Sequence, residues 1–236
     1  MGVGGIVLAA DSQITYTQYR GGVEIKGTYL GARSKIRRIG NHSAYSIAGR
    51  NGFVDALVEA ADESGIGNES SLEDAIHKCQ EIFQDELRRR YSDPLRAPEA
   101  RFLFCGYRMV GEQNKPARVI LHSRTNFSYD DVARREPAWT GQTEHGAALY
   151  LHHRFYPHNK DTLLPLEQAK LLAYCVVAEV AEMDNGVGGP IEMELITPQS
   201  SRPLTESEID RYKQARQRLV ASVRSFLVGA SQEPCG

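Results

Sequence analysis

Gly4-Gly5-Ile6-Val7-Leu8-Ala9-Ala10-Asp11-Ser12-Gln13-Ile14-Thr15 opens the chain, and its reading decides what the remainder can be. Apolar residues run without a break from Ile6 to Ala10, between a glycine pair and a carboxylate. A run that short suits a strand covered on both faces. Asp11 falls where such a strand leaves the core, a place for a turn-capping carboxylate or for one that works in a site. A second signal follows a polar insert. Ser34-Lys35-Ile36-Arg37-Arg38-Ile39 leads into Ala44-Tyr45-Ser46-Ile47-Ala48-Gly49, a strand closing on glycine, and then into Val54-Asp55-Ala56-Leu57.

The 236 residues suffice for one large domain or two small ones, and no stretch has the composition of a linker. One domain over residues 1–230 with a frayed tail at 231–236 is the expectation. A net charge of -2 argues against a nucleic-acid-binding face as the main function. No apolar run is long enough to span a bilayer. The N-terminus lacks the basic and apolar regions of a signal peptide, so a cytoplasmic location is expected. Cys79, Cys105, Cys175 and Cys235 show no paired spacing and read as two helix residues, a strand residue and a tail thiol in a reducing compartment.

Between Thr15 and Arg33 the chain is polar, aromatic and glycine-rich, consistent with a hairpin turning at Gly21-Gly22 or Gly27. Apolar residues at helical spacing predict a helix over 51–61 and a longer one from Ser70 or Ser71 to Arg90. Strands are expected over 101–107 and 117–122, with a turn at 111–116. A helix is expected over the 140s, another from Pro165 to about Met183, and a last one from Thr205 to Leu227. Residues 191–197 alternate as a strand, and 198–203 read as a loop. Strands at both ends with helix pairs between them predict a layered α+β domain.

Taken in order, the Gly-Ile-Val-Leu-Ala-Ala-Asp-Ser, Lys-Ile-Arg-Arg-Ile, Ser-Ile-Ala-Gly and Val-Asp-Ala-Leu stretches resemble the proteasome β-subunit family and its bacterial relatives, which are N-terminal-nucleophile (Ntn) hydrolases. The resemblance covers about the first sixty residues closely and recurs near the C-terminal third. It implies a four-layer αββα sandwich of the Ntn-hydrolase type. It also implies a threonine-type peptidase that acts on peptides or unfolded protein and assembles as a homo-oligomeric ring or stacked rings, with an ATPase as a further candidate partner. No cofactor, nucleic acid or membrane is implied.

Carried over residue by residue, the resemblance makes Asp11 the carboxylate that pairs with a catalytic lysine, and Lys35 that lysine. Gly49 stands for the oxyanion-hole glycine. Thr140, before Gly141, stands for the residue beside the nucleophile's amine, and Asp184 opens the corresponding C-terminal turn. Val187 replaces a hydroxyl in that turn. In such a site a threonine hydroxyl attacks the amide, its own α-amine is the base, and the lysine's charge lowers the pKa of both. Counting back from Asp11 by the family's spacing puts that threonine upstream of Met1. The expectation is therefore a peptidase subunit inactive in this form, its threonine lying on an upstream segment. A catalytically silent structural subunit and an amidase acting on a small molecule are the alternatives. His145, His152, His153 and His158 raise the question of zinc, but without the carboxylate or cysteine spacing of a zinc motif no metal is expected. The glycine clusters at 2–5 and 186–189 do not suit a dinucleotide fold.

Overall fold

The computed structural model describes residues 4–20, 23–30, 34–49, 51–69, 71–93, 96–132, 138, 163–184 and 187–230. The helix expected over the 140s, the four histidines, Thr140 and the 231–236 tail lie outside them.

Strand β1 (Ile6–Asp11) pairs antiparallel with β9 (Ile191–Ile196), which also pairs with the short β10 (Ser201–Pro203). A five-stranded antiparallel sheet runs in sequence order through β4 (Ile36–Ile39), β5 (Ser43–Gly49), β6 (Ala100–Val110), β7 (Gln113–His122) and β8 (Tyr129–Asp131). Strands β2 (Gln13–Arg20) and β3 (Val23–Leu30) form a separate ribbon of eight cross-strand pairs, from Gln13 opposite Leu30 to Arg20 opposite Val23.

The expected four-layer αββα sandwich of the Ntn-hydrolase type is corrected here. The described strands form three antiparallel sheets of five, three and two strands rather than two broad ones. The β2–β3 ribbon joins neither neighbour, since its pairing is internal. Period-two alternation marks a strand but not its partner, so this partition could not be read in advance. For the same reason the stretch expected as a loop at 198–203 holds β10, whose three residues are too few for a pattern.

Alternation explains where the cores sit. Tyr45, Phe102, Phe104, Val119 and Leu121 point from the five-stranded sheet toward helices α1 (Asn51–Glu63) and α2 (Leu72–Arg90). Phe83 of α2 lies 4.3 Å from Phe102 and 5.2 Å from Phe127, ring centre to ring centre. Phe127 has a left-handed backbone, φ 54°, a strain tolerated because its ring is wholly buried. On the opposite face of the same strands, Ala44, Leu103 and Cys105 meet Ile6 and Leu8 of β1 and Ile196 of β9. The other face of the three-stranded sheet, with Leu195 and Met193, packs under α3 (Leu166–Met183) and α4 (Glu206–Ala230). The unbroken apolar run of β1 thus serves two cores at once.

Helix ends follow their local chemistry. Ser71 caps α2 by accepting from the Asp74 N–H at 3.0 Å, and Arg89 and Arg90 of its last turn pair with Glu86 at 2.7 Å each. At α4 the Thr205 hydroxyl accepts from the Glu208 N–H while the Glu208 carboxylate accepts from the Thr205 N–H, a reciprocal cap. Among the described residues no helix is long and apolar enough to cross a membrane.

Glu194 sits opposite Leu8 in the ladder and is only 4% exposed. Its carboxylate accepts from the Ser201 hydroxyl at 2.7 Å and lies 3.8 Å from Arg38 Nε. Burial, the largest influence, raises its pKa against the lowering pull of Ser201 and Arg38. The folded chain therefore binds this proton more tightly than the unfolded chain, and stability falls as pH rises above the ordinary carboxylate value. Glu194→Gln is expected to flatten the slope of Tm between about pH 4.5 and neutrality, with no loss at neutral pH. Thermal melts across that range check it, and a Tm lowered at neutral pH would mean that the charge on Arg38 outweighs burial.

Candidate functional site

Asp11 ends β1 in the three-stranded sheet, and Lys35 stands immediately before β4 in the five-stranded one. Their side chains meet across the gap between the two sheets. Lys35 Nζ donates to both carboxylate oxygens of Asp11, at 2.8 Å each. Two backbone donors complete the cradle: the Gln13 N–H and the Gly188 N–H each reach Asp11 Oδ2 at 3.2 Å. The Gln13 N–H is shared with the Gly188 carbonyl, at 2.9 Å, which fixes the turn after α3 against the strand that follows Asp11. A carboxylate that accepts from an ammonium and two fixed N–H groups is held in place. The side chains of Lys35 and Asp11 are 28% and 13% exposed, so the pair is shielded yet within reach of a molecule entering the gap.

Lys35 is itself tied from behind. Its carbonyl accepts from the Ile47 N–H at 3.1 Å, extending the β4–β5 ladder by one residue. The preceding Ser34 hydroxyl lies 2.6 Å from Glu192 Oε2 of β9, a second link between the sheets. That ladder also locates Gly49, two residues beyond Ile47 at the end of β5. Gly49 has φ 144°, and a Cβ there would strike the Glu99 carbonyl oxygen and Ala100 Cα. Close approach of β6 therefore requires a glycine whether or not its N–H meets a substrate.

Asp184 ends α3, where its N–H donates to the Val180 carbonyl at 2.9 Å and its carbonyl accepts from the Val187 N–H at 3.0 Å. The turn it opens reaches Asp11 through the Gly188 backbone. The structure thus brings Asp11, Lys35 and the turn after Asp184 together and sets Gly49 at the same end of the sheets, while Thr140 lies outside the described residues. Sequence reasoning missed Gly188 and Gln13, whose part is played by backbone N–H groups that leave no side-chain signature. Ser12, between Asp11 and Gln13, turns inward. It is 3% exposed and its hydroxyl has no hydrogen-bond partner among the described residues, a position that shields it from any substrate. Among the described residues no cluster of three histidine, cysteine or carboxylate groups could hold a metal ion.

No protein-family profile matches the chain, and no curated protein sequence does. Solved structures do. The Anbu complex from Pseudomonas aeruginosa, described as a helical assembly, superposes with a TM-score of 0.69 at 16% identity, over 97% of this chain and 94% of that one. Anbu (ancestral beta-subunit) from Yersinia bercovieri gives 0.68 at 16% identity, over 98% and 94%. Anbu from Hyphomicrobium sp. strain MC1 gives 0.60 at 16% identity, over 93% and 92%. At such identity the likeness establishes the fold and nothing finer. It also corrects the resemblance to the proteasome β-subunit family of Ntn hydrolases: the structures matched are Anbu, proteasome-like but a distinct family. The four stretches that suggested β-subunits fall on β1 with its terminal Asp11, on Lys35 with β4, on the glycine-ended β5 and on the first turns of α1. That framework does not by itself separate one family from another.

Gly49→Ala is expected to lower stability by about 1–3 kcal/mol, since neither β6 nor the left-handed backbone accommodates a methyl group. Urea unfolding monitored by circular dichroism checks it, and an unchanged midpoint would show that the β5–β6 contact relaxes freely.

Proposed function

We propose that this chain is a self-associating, proteasome-related subunit whose Asp11–Lys35 pair serves hydrolysis of peptide bonds by a threonine hydroxyl. The observation that supports this reading is the ammonium of Lys35 held at 2.8 Å from both Asp11 oxygens at the mouth of the gap between two sheets. An ammonium fixed there stabilises a neighbouring hydroxyl in its ionised form and lowers the pKa of a nearby amine. The threonine belongs on a segment leading into β1, which brings it beside Lys35. Its hydroxyl attacks the amide carbonyl while its own α-amine takes the proton and passes it to the leaving amine; water then cleaves the ester. The Gly49 N–H is assigned to the oxyanion, and Asp184 and Thr140 to the surroundings of the amine. Gln13 and Gly188 act as positioning residues through Asp11. Peptides or unfolded protein are the substrates. Residues 1–230 act as one domain, and copies associate with one another, as the helical assembly described for the Pseudomonas aeruginosa relative suggests.

The test is a chain extended at its N-terminus so that a processed threonine leads into β1, assayed with fluorogenic peptides. Hydrolysis is expected, with kcat/KM falling about 100- to 1000-fold on Lys35→Ala and less on Asp11→Asn. Hydrolysis untouched by Lys35→Ala in a folded protein would remove the pair from the chemistry. An extended chain that associates but never cleaves would leave a purely structural subunit.

A further inference from the structure

Gly49 stands opposite Ala100 in the β5–β6 ladder, and the carbonyl that a Cβ on it would strike belongs to Glu99. The side chain of Glu99 gathers bases. Arg101 reaches its Oε1 at 2.7 Å, His122 Nε2 lies 3.5 Å from the same oxygen, and Arg124 lies 3.8 Å from Oε2. The ladder explains why they meet. Arg101 of β6 is paired with His122 of β7, so both side chains leave the same face, and Arg124 follows in the short helical turn Ser123–Thr125. That face is the one turned toward the three-stranded sheet, since Leu103 and Ile120, two residues along each strand, pack into the core shared with β1.

The cluster does not balance its own charge. Burial, the largest influence, and Arg101 hold the His122 imidazole below its ordinary value against the pull of Glu99, so it is uncharged at neutral pH. Two arginines then stand around one carboxylate, and Arg124, at the longer distance and 68% exposed, is the less neutralised of them. The buried Nε2 of His122 makes no hydrogen bond among the described residues, and a buried polar atom left so calls for a partner. Both features suit an added carboxylate, which a neutral imidazole N–H and a guanidinium bind together.

A peptide held at Gly49 comes within reach of this cluster. Neighbouring strands lie about 4.8 Å apart, and an extended peptide rises about 3.3 Å per residue. The single spacing from β5 to β6 therefore matches a step of about one or two residues along a substrate. We infer that Arg124, with Arg101 and His122, forms a subsite for an aspartate or glutamate side chain one or two residues from the peptide bond that is cleaved. Glu99 sharpens the choice, because it orients Arg101 and repels an acid unless Arg124 is there to receive it. A lysine or arginine on the substrate meets like charge instead. This inference rests on the reading of the gap as a peptide-cleaving site and says which peptides that site takes.

Binding to the full chain, read by fluorescence anisotropy, tests it without recourse to activity. The probes are labelled octapeptides alike except for a single Glu, Gln or Lys placed at each position in turn. At one or two adjacent positions Glu is expected to bind about five- to tenfold more tightly than Gln in about 0.05 M salt, and the advantage to shrink in about 0.5 M salt. Arg124→Glu is expected to transfer the preference to Lys at the same position, and Glu99→Gln to enlarge the preference for Glu, both with unchanged circular dichroism. A purely structural cluster would instead weaken all three peptides alike in either variant, and that result would overturn the subsite. So would Glu and Gln binding equally at every position, or no peptide binding at all. The chemistry fails separately: an N-terminally extended chain that prefers Glu yet never cleaves would keep the subsite and remove hydrolysis, whereas cleavage indifferent to Glu would do the reverse.

Discussion

One ammonium shared by two carboxylate oxygens fastens the two larger sheets together where they open. Asp11 belongs to a strand whose place is set by pairing with β9, and Lys35 to the entry of a strand paired with β5. Neither sheet could shift along the other without pulling these charges apart. The carboxylate is further fixed by N–H groups from the first residue of β2 and from the turn after α3. Three separate stretches of chain must therefore be in place before the pair forms, so its geometry reports on the whole fold rather than on a local turn.

Around this point the molecule is divided by chemistry. The core under α1 and α2 is rich in phenylalanine, and the core under α3 and α4 mixes aliphatic residues with Tyr174 and Tyr212 beside a margin of ion pairs. The layer between the sheets mixes Ile, Leu and smaller apolar residues with Glu192, which accepts from the Ser34 hydroxyl, and Glu194, which accepts from Ser201 of β10 and lies near Arg38 of β4. Polar groups in that layer cost more than hydrocarbon would, unless satisfied, but they make the sheets meet in one register. A site that needs charge at the mouth of a gap gains from such polar links behind it.

Much of this was legible in residues and some was not. The apolar run ending at Asp11 and the lysine opening the next motif were visible because strands and charges leave strong marks, and the coordinates put the two in contact. Gly49 was singled out as an oxyanion-hole glycine, while the reason for a glycine on view is steric, the backbone of β6 lying where a side chain would go. The backbone donors of Gln13 and Gly188 were invisible, since any residue carries an N–H. So was the division into three sheets, because alternation gives a strand its faces and not its neighbours. The four motifs read as β-subunit proper describe a framework that the Anbu fold also accommodates, and superposition of the whole chain brought Anbu forward.

The ribbon β2–β3 leaves the body directly after Asp11 and returns just before Lys35. Its first pair, Gln13 with Leu30, therefore acts on the chain statistics of the charged contact. Joining two groups 24 residues apart would otherwise mean closing the full intervening loop. With the ribbon zipped, the effective loop shrinks to about eight links, a saving in closure entropy of about 1 kcal/mol. Whatever loosens the root of that hairpin, by mutation or by a bound molecule, slackens the tether between the two charges without touching either of them.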